Sequence, residues 1–307
     1  MTKIGSKFTI AAVERETGLS KDVLRVWERR YAFPEPVRGE NGERLYPLAQ
    51  VERLCLIKRL MDQGYRPGKL MGMATAELIE LAPRKPSSTS PTDAGTSAEL
   101  DDLIQLVTKH DIAGYGQTLQ QLLARKGLAL FVQDIVAPLS NRVGAEWERG
   151  TLKVFEEHLF TELTKRVLRQ AIASLPTHAQ QRPYVVLTTL PGEQHMLGLL
   201  MVEALFALEG AKCIPLGAEL PLTEITQAAI AHRADIVGLS FSSAFPQRQI
   251  STLLKQLREL LPASIQLWVG GSGAQSVAAV DGVTLLSSLQ AAQQTMLQWR
   301  SSRRSGV

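Results

Sequence analysis

Cysteine is scarce in this chain. Its two residues, Cys55 and Cys213, lie far apart and form no CxxC pair, which argues against a disulfide framework and a zinc knuckle and leaves both as small core residues. Long apolar runs are absent as well: none reaches the ~18–20 residues needed to span a bilayer. The first residues are polar and of mixed charge, without a signal-like apolar block, so the expectation is a cytoplasmic protein with no membrane partner. No G-x-G-x-x-G follows any candidate first strand, which disfavours a dinucleotide site. Between Ala98 and about Pro176 there is no strand-like alternation, which points to an all-helical middle.

The 307 residues suffice for two or three domains, and 45% hydrophobic content is ordinary for globular cores. The net charge of +4 is unevenly spread: residues 1–86 hold 16 Lys and Arg against 11 Asp and Glu, and the remainder 18 against 19. A basic first module joined to a nearly neutral remainder suggests that nucleic acid is gripped by one part and something else sensed by the other.

Phe8-Thr9-Ile10-Ala11-Ala12-Val13 opens a short amphipathic helix with Thr9 as cap, and Thr17-Gly18-Leu19-Ser20 breaks it and caps the next. That second helix, Ser20 to Tyr31, keeps Val23, Leu24 and Trp27 at core-like intervals and carries Lys21, Arg25, Arg29 and Arg30 as charge. Phe33 to Tyr46, with Pro at its start and an Asn-Gly turn, describes a hairpin bearing Arg38, Arg44 and Tyr46. Pro47 to Gln63 is a further helix, and the Ser/Thr/Pro/Gly-rich stretch 83–98 is a flexible linker.

Four amphipathic segments follow, Glu99 to Lys109, Asp111 to Lys126, Ala129 to Gly150 and Val154 to Ser174, and a four-helix bundle is their natural packing. Trp147 lies just before the Gly150 break, and Val154, Glu157 and His158 share one face of the fourth helix. After Pro183 the pattern alternates: strands Tyr184–Thr189, Ala211–Pro215, Ile236–Phe241 and Gln266–Gly270, helices Met196–Leu208, Leu222–His232 and Gln247–Leu261, and a final short strand and helix. This reads as a Rossmann-like doubly wound parallel sheet. The loops at its carboxyl edge, where such folds bind ligands, carry Glu193 and His195, then Ser240, Ser242 and Ser243, then Gly270-Gly271. His195 is an exposed imidazole at this ligand-binding edge. His110, His178 and His232 stand outside these patterns.

Leu24-Arg25-Val26-Trp27-Glu28-Arg29-Arg30-Tyr31 followed by Arg44-Leu45-Tyr46 resembles the winged helix-turn-helix of the MerR family. The resemblance implies that residues 1–82 bind double-stranded operator DNA. Lys21, Arg25, Arg29 and Arg30 would lie in or beside the major groove, and Arg38, Arg44 and Tyr46 would hold phosphates from the wing. The long coiled-coil dimerisation helix of the metal-sensing members is missing.

Trp147, nine intervening residues and Glu157-His158 resemble the W-x9-E-H signature of light-responsive MerR-type repressors, the CarH/LitR photoreceptor family. Glu193-x-His195-x-x-Gly198 with Ser240 and Gly270-Gly271 resembles the D/E-x-H-x-x-G, S-x-L, G-G pattern of cobalamin-binding Rossmann domains. The resemblance implies a cobalamin-dependent, light-sensing repressor without enzymatic activity. Residues 99–178 would form the capping bundle and 179–307 the cobalamin-binding domain.

In that reading adenosylcobalamin, with methylcobalamin the lesser candidate, lies between Trp147 and His195, and His195 is the lower axial cobalt ligand. Trp147, Val154, Glu157 and His158 cover the upper face. Glu193, Gly198, Ser240, Ser242, Gly270 and Gly271 hold or admit the lower side, the serines bonding the displaced dimethylbenzimidazole tail. Homodimers or homotetramers would grip DNA through avidity until light cleaves the cobalt–carbon bond. Two departures stand out. Ser242 replaces the usual leucine of S-x-L, and Glu148 replaces the histidine that becomes a second cobalt ligand after photolysis in the founding type. Two alternatives remain open: a corrinoid methyltransferase-type module, which the DNA-binding part opposes, and a regulator that kept the fold and answers to a protein partner.

Overall fold

The computed structural model describes residues 7–39, 42–62, 65–81, 94–176, 182–275 and 277–304. The chain divides into two compact units, Met1–Ser88 with Gly144–Lys153, and Thr89–Val143 with Val154–Val307. Much of the 83–98 segment lies outside the described residues, and its last part is not a linker, because a helix begins at Ala94.

In the first unit β1 (Lys7–Thr9) leads into α1 (Ile10–Thr17) and α2 (Lys21–Tyr31), followed by β2 (Val37–Arg38), β3 (Arg44–Pro47), α3 (Leu48–Asp62), α4 (Pro67–Leu70) and α5 (Thr75–Leu81). The helix starts follow from capping. The Thr9 side chain accepts from the Ala12 amide and the Ser20 side chain from the Val23 amide, while Gly18 ends α1 in the left-handed region at φ 68°. The sheet order is β1-β3-β2, so β3 is paired on both sides. Val13, Leu24, Trp27, Tyr46, Leu54 and Ile57 form the centre of this unit's core.

The second unit contains the bundle helices α6 (Ala94–Thr108), α7 (Ile112–Lys126), α8 (Leu128–Leu130), α9 (Ala137–Glu148) and α10 (Val154–Ala173), with α9 ending in the first unit. Periodicity predicts one continuous third helix from Ala129. The structure instead inserts a π-helix, Phe131–Val136, whose Phe131, Val132, Ile135 and Val136 are all buried. The wider turn adds one residue per cycle and keeps these four apolar side chains facing inward.

The remaining elements are β4 (Tyr184–Thr188), α11 (Leu197–Leu208), β5 (Lys212–Pro215), α12 (Leu222–Ala231), β6 (Ile236–Ser240), α13 (Gln247–Leu260), β7 (Gln266–Gly270), β8 (Val283–Leu285) and α14 (Leu289–Arg304). The last helix is long, not short as the sequence suggests. All pairs in the sheet are parallel, in the order β5-β4-β6-β7-β8. The central strands β4 and β6 are buried on both faces, which is why their residues run almost continuously apolar. Ile225, Ala229, Ile250 and Leu254 of α12 and α13 cover one face. Leu199, Phe206, Met296 and Trp299 of α11 and α14 cover the other. The strand order reverses between β4 and β6, and that switch point is where an open α/β sheet leaves a crevice for ligands. Helix α10 packs along α11, joining the bundle to the sheet domain within this unit.

Candidate functional site

The basic face of the first unit is carried by α2. Leu24 and Trp27 point into the core, and Arg25, Arg29 and Arg30 are exposed on the opposite side. Lys21 pairs with Glu14 at 3.4 Å, Arg25 with Asp22 at 3.4 Å, and Arg30 lies 5.3 Å from the centre of the Tyr31 ring. These are solvated pairs that cost little to exchange for phosphate. Arg38 is also exposed and donates to the Gly42 carbonyl at 2.7 Å.

The other two wing residues differ from the expectation. Tyr46 is fully buried and donates its hydroxyl to Glu28, and the Arg44 Nε donates to the other Glu28 oxygen at 3.1 Å. In a strand, residues two apart share a face. That face of central strand β3 looks onto α2 and its single inward carboxylate. Burial, and then Glu28, push the Tyr46 phenol far above its usual range. Tyr46 is therefore a core residue and not a phosphate contact, and Arg44 is anchored to the helix.

In the second unit the loop after β4 presents His195. Glu193 is almost completely buried, and its Oε1 accepts from the His195 amide at 2.9 Å and meets the His195 Nδ1 at 2.7 Å. Its Oε2 accepts from the Ser242 amide at 2.7 Å and the Ser242 hydroxyl at 2.8 Å. The same hydroxyl lies 3.1 Å from the His195 Nδ1. Burial pushes the Glu193 carboxyl up, but the hydrogen bonds from His195 and Ser242 outweigh it and hold the group below the ordinary carboxylate range. Glu193 in turn raises the His195 imidazole above its usual value, against burial.

The loop is braced from behind. The Thr189 hydroxyl donates to the Glu193 carbonyl and accepts from the Glu219 amide, and Glu219 accepts from the Gly192 amide at 3.1 Å and the Gln194 side chain at 3.2 Å.

Ser242 thus belongs to the histidine's support, a role that the serine-pattern comparison did not assign it. Ser240 is buried at the end of β6, between two glycines: a Cβ on Gly198 would come within 2.8 Å of its Oγ, and one on Gly271 within 2.9 Å. Gly271 has φ 95° and a Cβ there would also meet the Phe241 carbonyl at 2.3 Å, so only glycine fits. Gly270 is less constrained, its nearest neighbour being the Leu286 carbonyl at 3.5 Å.

At the start of α10, Val154 is exposed, Glu157 is partly covered and His158 is open to solvent. Glu157 accepts from Thr161 at 2.8 Å, and its other oxygen stands 3.8 Å from the His158 Nε2. Trp147 is half-buried and falls in the first unit, whereas Val154, Glu157, His158 and His195 fall in the second. The side chain of Glu148 and all of His178 lie outside the described residues. Sequence reasoning left out His110, which contacts Glu156 from the α6–α7 corner.

One observation bears on what His195 can hold. Among the described residues no group of three or more His, Cys, Asp or Glu side chains is placed to hold a metal ion. A metal at the His195 Nε2 must therefore bring its other ligands with it, as a corrin ring does. A cavity of about 590 Å³ lies between α10 and α11, with Leu187, Met196 and Leu199 in its wall beside the charged Lys165, Arg169 and Glu203. No described helix is long and apolar enough to cross a membrane.

Comparison with known proteins agrees with this division. Residues 8–77 match the MerR HTH family regulatory protein model, and 99–172 and 183–280 match two B12 binding domain models. The HTH-type transcriptional repressor CarH of Myxococcus xanthus is 29% identical over 86% of this chain and 88% of its own length. CarA of the same organism is 28% identical over 87% of each. The monomethylamine corrinoid protein of Methanosarcina barkeri shares the fold of the bundle and sheet, with 16% identity, a TM-score of 0.53, and coverage of 66% of this chain and 99% of its own. The chain thus combines a MerR-type helix-turn-helix region with two successive B12-binding regions and is similar over most of its length to the CarH and CarA repressors.

Proposed function

We propose that this protein is a light-sensing repressor that binds adenosylcobalamin through His195 and releases DNA on illumination. Its coarser description, a cobalamin-binding transcriptional repressor of MerR type and not an enzyme, follows from its domains and from the repressors it matches over most of its length. One observation supports His195 as the residue that holds the cofactor. A buried carboxylate and a hydroxyl, both provided by the protein, converge on the Nδ1 side of His195, which fixes the ring's orientation and leaves Nε2 to a metal.

Adenosylcobalamin would supply a cobalt–carbon bond that light can break. The protein's own part is positional. Glu193 holds the proton of His195 at Nδ1 and makes Nε2 a stronger donor. Ser242 keeps the carboxylate in place, and the Thr189–Glu219 brace keeps the loop from following the ring. Gly198, Ser240 and Gly271 form the narrow wall where the nucleotide tail would enter. Glu157 and His158 would meet the adenosyl group from the bundle, with Val154 covering it. Arg25, Arg29, Arg30 and Arg38 provide exposed cations for operator DNA, and assembly into dimers or tetramers would multiply that grip.

Size-exclusion chromatography and operator-binding assays, run with adenosylcobalamin in the dark and again after illumination, test the reading. The dark protein should be larger and bind DNA tightly, and light should reverse both. A protein whose assembly and DNA affinity ignore the cofactor and light alike would refute it.

A further inference from the structure

We propose that His110 is a positioning residue for the upper side of the cobalamin site, acting through Glu156 and Phe155 to set the first turn of α10. The inference rests on the cobalamin reading above and adds to it a residue that selects for the upper ligand.

The α6–α7 corner is a rigid mount. His110 takes φ 60°, a left-handed conformation seldom adopted by residues with a side chain. Around it the Asp111 amide donates to the Leu106 carbonyl at 2.9 Å and the His110 amide to Val107 at 3.0 Å. Asp111 caps α7 by accepting from the Gly114 amide at 2.9 Å. The imidazole so presented reaches the opposite helix twice. Its Nε2 lies 3.1 Å from the Glu156 Oε1, and its ring centre is 5.3 Å from that of Phe155.

Glu156 is buried, with only 8% of its side chain exposed, although it sits in the first turn of a helix where a carboxylate would ordinarily be solvated. A buried carboxylate needs hydrogen-bond partners, and the His110 Nε2 is one of them. Glu156 therefore points inward, and successive helical residues turn by about 100°. With Phe155 and Glu156 both held from the corner, the rotation of this turn is fixed, and with it the directions of Val154, Glu157 and His158. At about 100° per residue those three lie on the side of the helix away from the buried Glu156. Without His110 the turn is free to rotate or fray, and a bulky upper ligand that needs all three side chains suffers more than a small one.

The test compares dark binding of adenosylcobalamin and methylcobalamin to the full-length protein, followed by absorption. His110→Ala should weaken adenosylcobalamin on the order of tenfold and leave methylcobalamin within about twofold. His110→Gln, which can still donate to Glu156, should recover most of the loss. Adding Glu156→Gln to His110→Ala should cost little more than either change alone, since both break one contact. An equal loss for both cofactors, no loss, or failure of His110→Gln to recover would overturn the inference while leaving the cobalamin reading intact. A wild-type protein that takes up neither cofactor would overturn both. Thermal melts of each variant separate this selectivity from a general loss of fold.

Discussion

The carboxylate of Glu193 holds the Nδ1 of His195 at 2.7 Å from a position that is 1% exposed, while 61% of the imidazole side chain is open to solvent. A fixed base behind a free donor atom is the arrangement a metal-binding histidine needs. The same contact should be visible in the protein without cofactor. Glu193 raises the His195 pKa above its ordinary value, so the proton is bound more tightly folded than unfolded. The resulting stability is fully present below the unfolded pKa and is lost as pH rises through the folded one. An NMR titration of the cofactor-free protein should give a His195 midpoint above that of a free imidazole, and Glu193→Gln should lower it. An unchanged midpoint in the variant would show that the pair does not form.

Glu28 ties the wing to α2, and this separates two kinds of arginine and tyrosine. Tyr46→Phe removes a hydrogen bond to a charged partner and should cost about 1–3 kcal/mol of stability. It should leave the salt dependence of operator binding unchanged, because the hydroxyl faces Glu28 and not solvent. Arg25→Ala should do the reverse, leaving the melting temperature nearly unchanged and flattening the slope of log K against log salt by about 1. Equal slopes for Arg25→Ala and the wild type would remove Arg25 from the interface.

The two neighbouring glycines at the end of β7 should respond differently to alanine. At Gly271 the backbone is left-handed and the Cβ would overlap the Phe241 carbonyl, so Gly271→Ala should destabilise the sheet domain by at least ~2 kcal/mol. Gly270→Ala meets only ordinary contacts and should cost less than about 1 kcal/mol. Denaturant titrations of the two variants, compared with the wild type, check the order.

If the protein is the light sensor proposed above, Glu148 bears on its light state. With no histidine after Trp147, an imidazole on the upper cobalt face has to come from elsewhere, and His158 is the exposed candidate on α10. The illuminated protein should therefore lack a durable bis-imidazole spectrum and lose its light-state absorption faster than a Glu148→His variant. A clean bis-imidazole spectrum that persists in His158→Ala would contradict this.

Local patterns carried most of the fold. Thr9, Gly18 and Ser20 marked the helix boundaries of the first unit, and the apolar runs around Val186, Val237 and Leu267 marked the strands, because capping and burial on two faces act within a few residues. What stayed hidden depended on partners distant in sequence. The inward turn of Tyr46 follows from β3 being the central strand, which pairing alone decides. The π-helix at Phe131–Val136 comes from packing against α6, α7 and α11, and no periodicity announces it. In the site, His195 and Glu193 were legible because they are two residues apart. Ser242, 49 positions from Glu193, acquired its role only when β4 and β6 became neighbours. His110 could not be read at all, since its contact spans 46 positions and joins two helix ends.

The claim that His195 is the protein's ligand to cobalt is tested most directly by electron paramagnetic resonance of the reduced, cobalt(II) cofactor bound to protein carrying ¹⁵N-labelled histidine. The account predicts that nitrogen splitting changes from a triplet to a doublet pattern on labelling and is lost as a histidine signal in His195→Ala. A pattern unaffected by the label, showing that the cofactor's own benzimidazole still holds the cobalt, would contradict it.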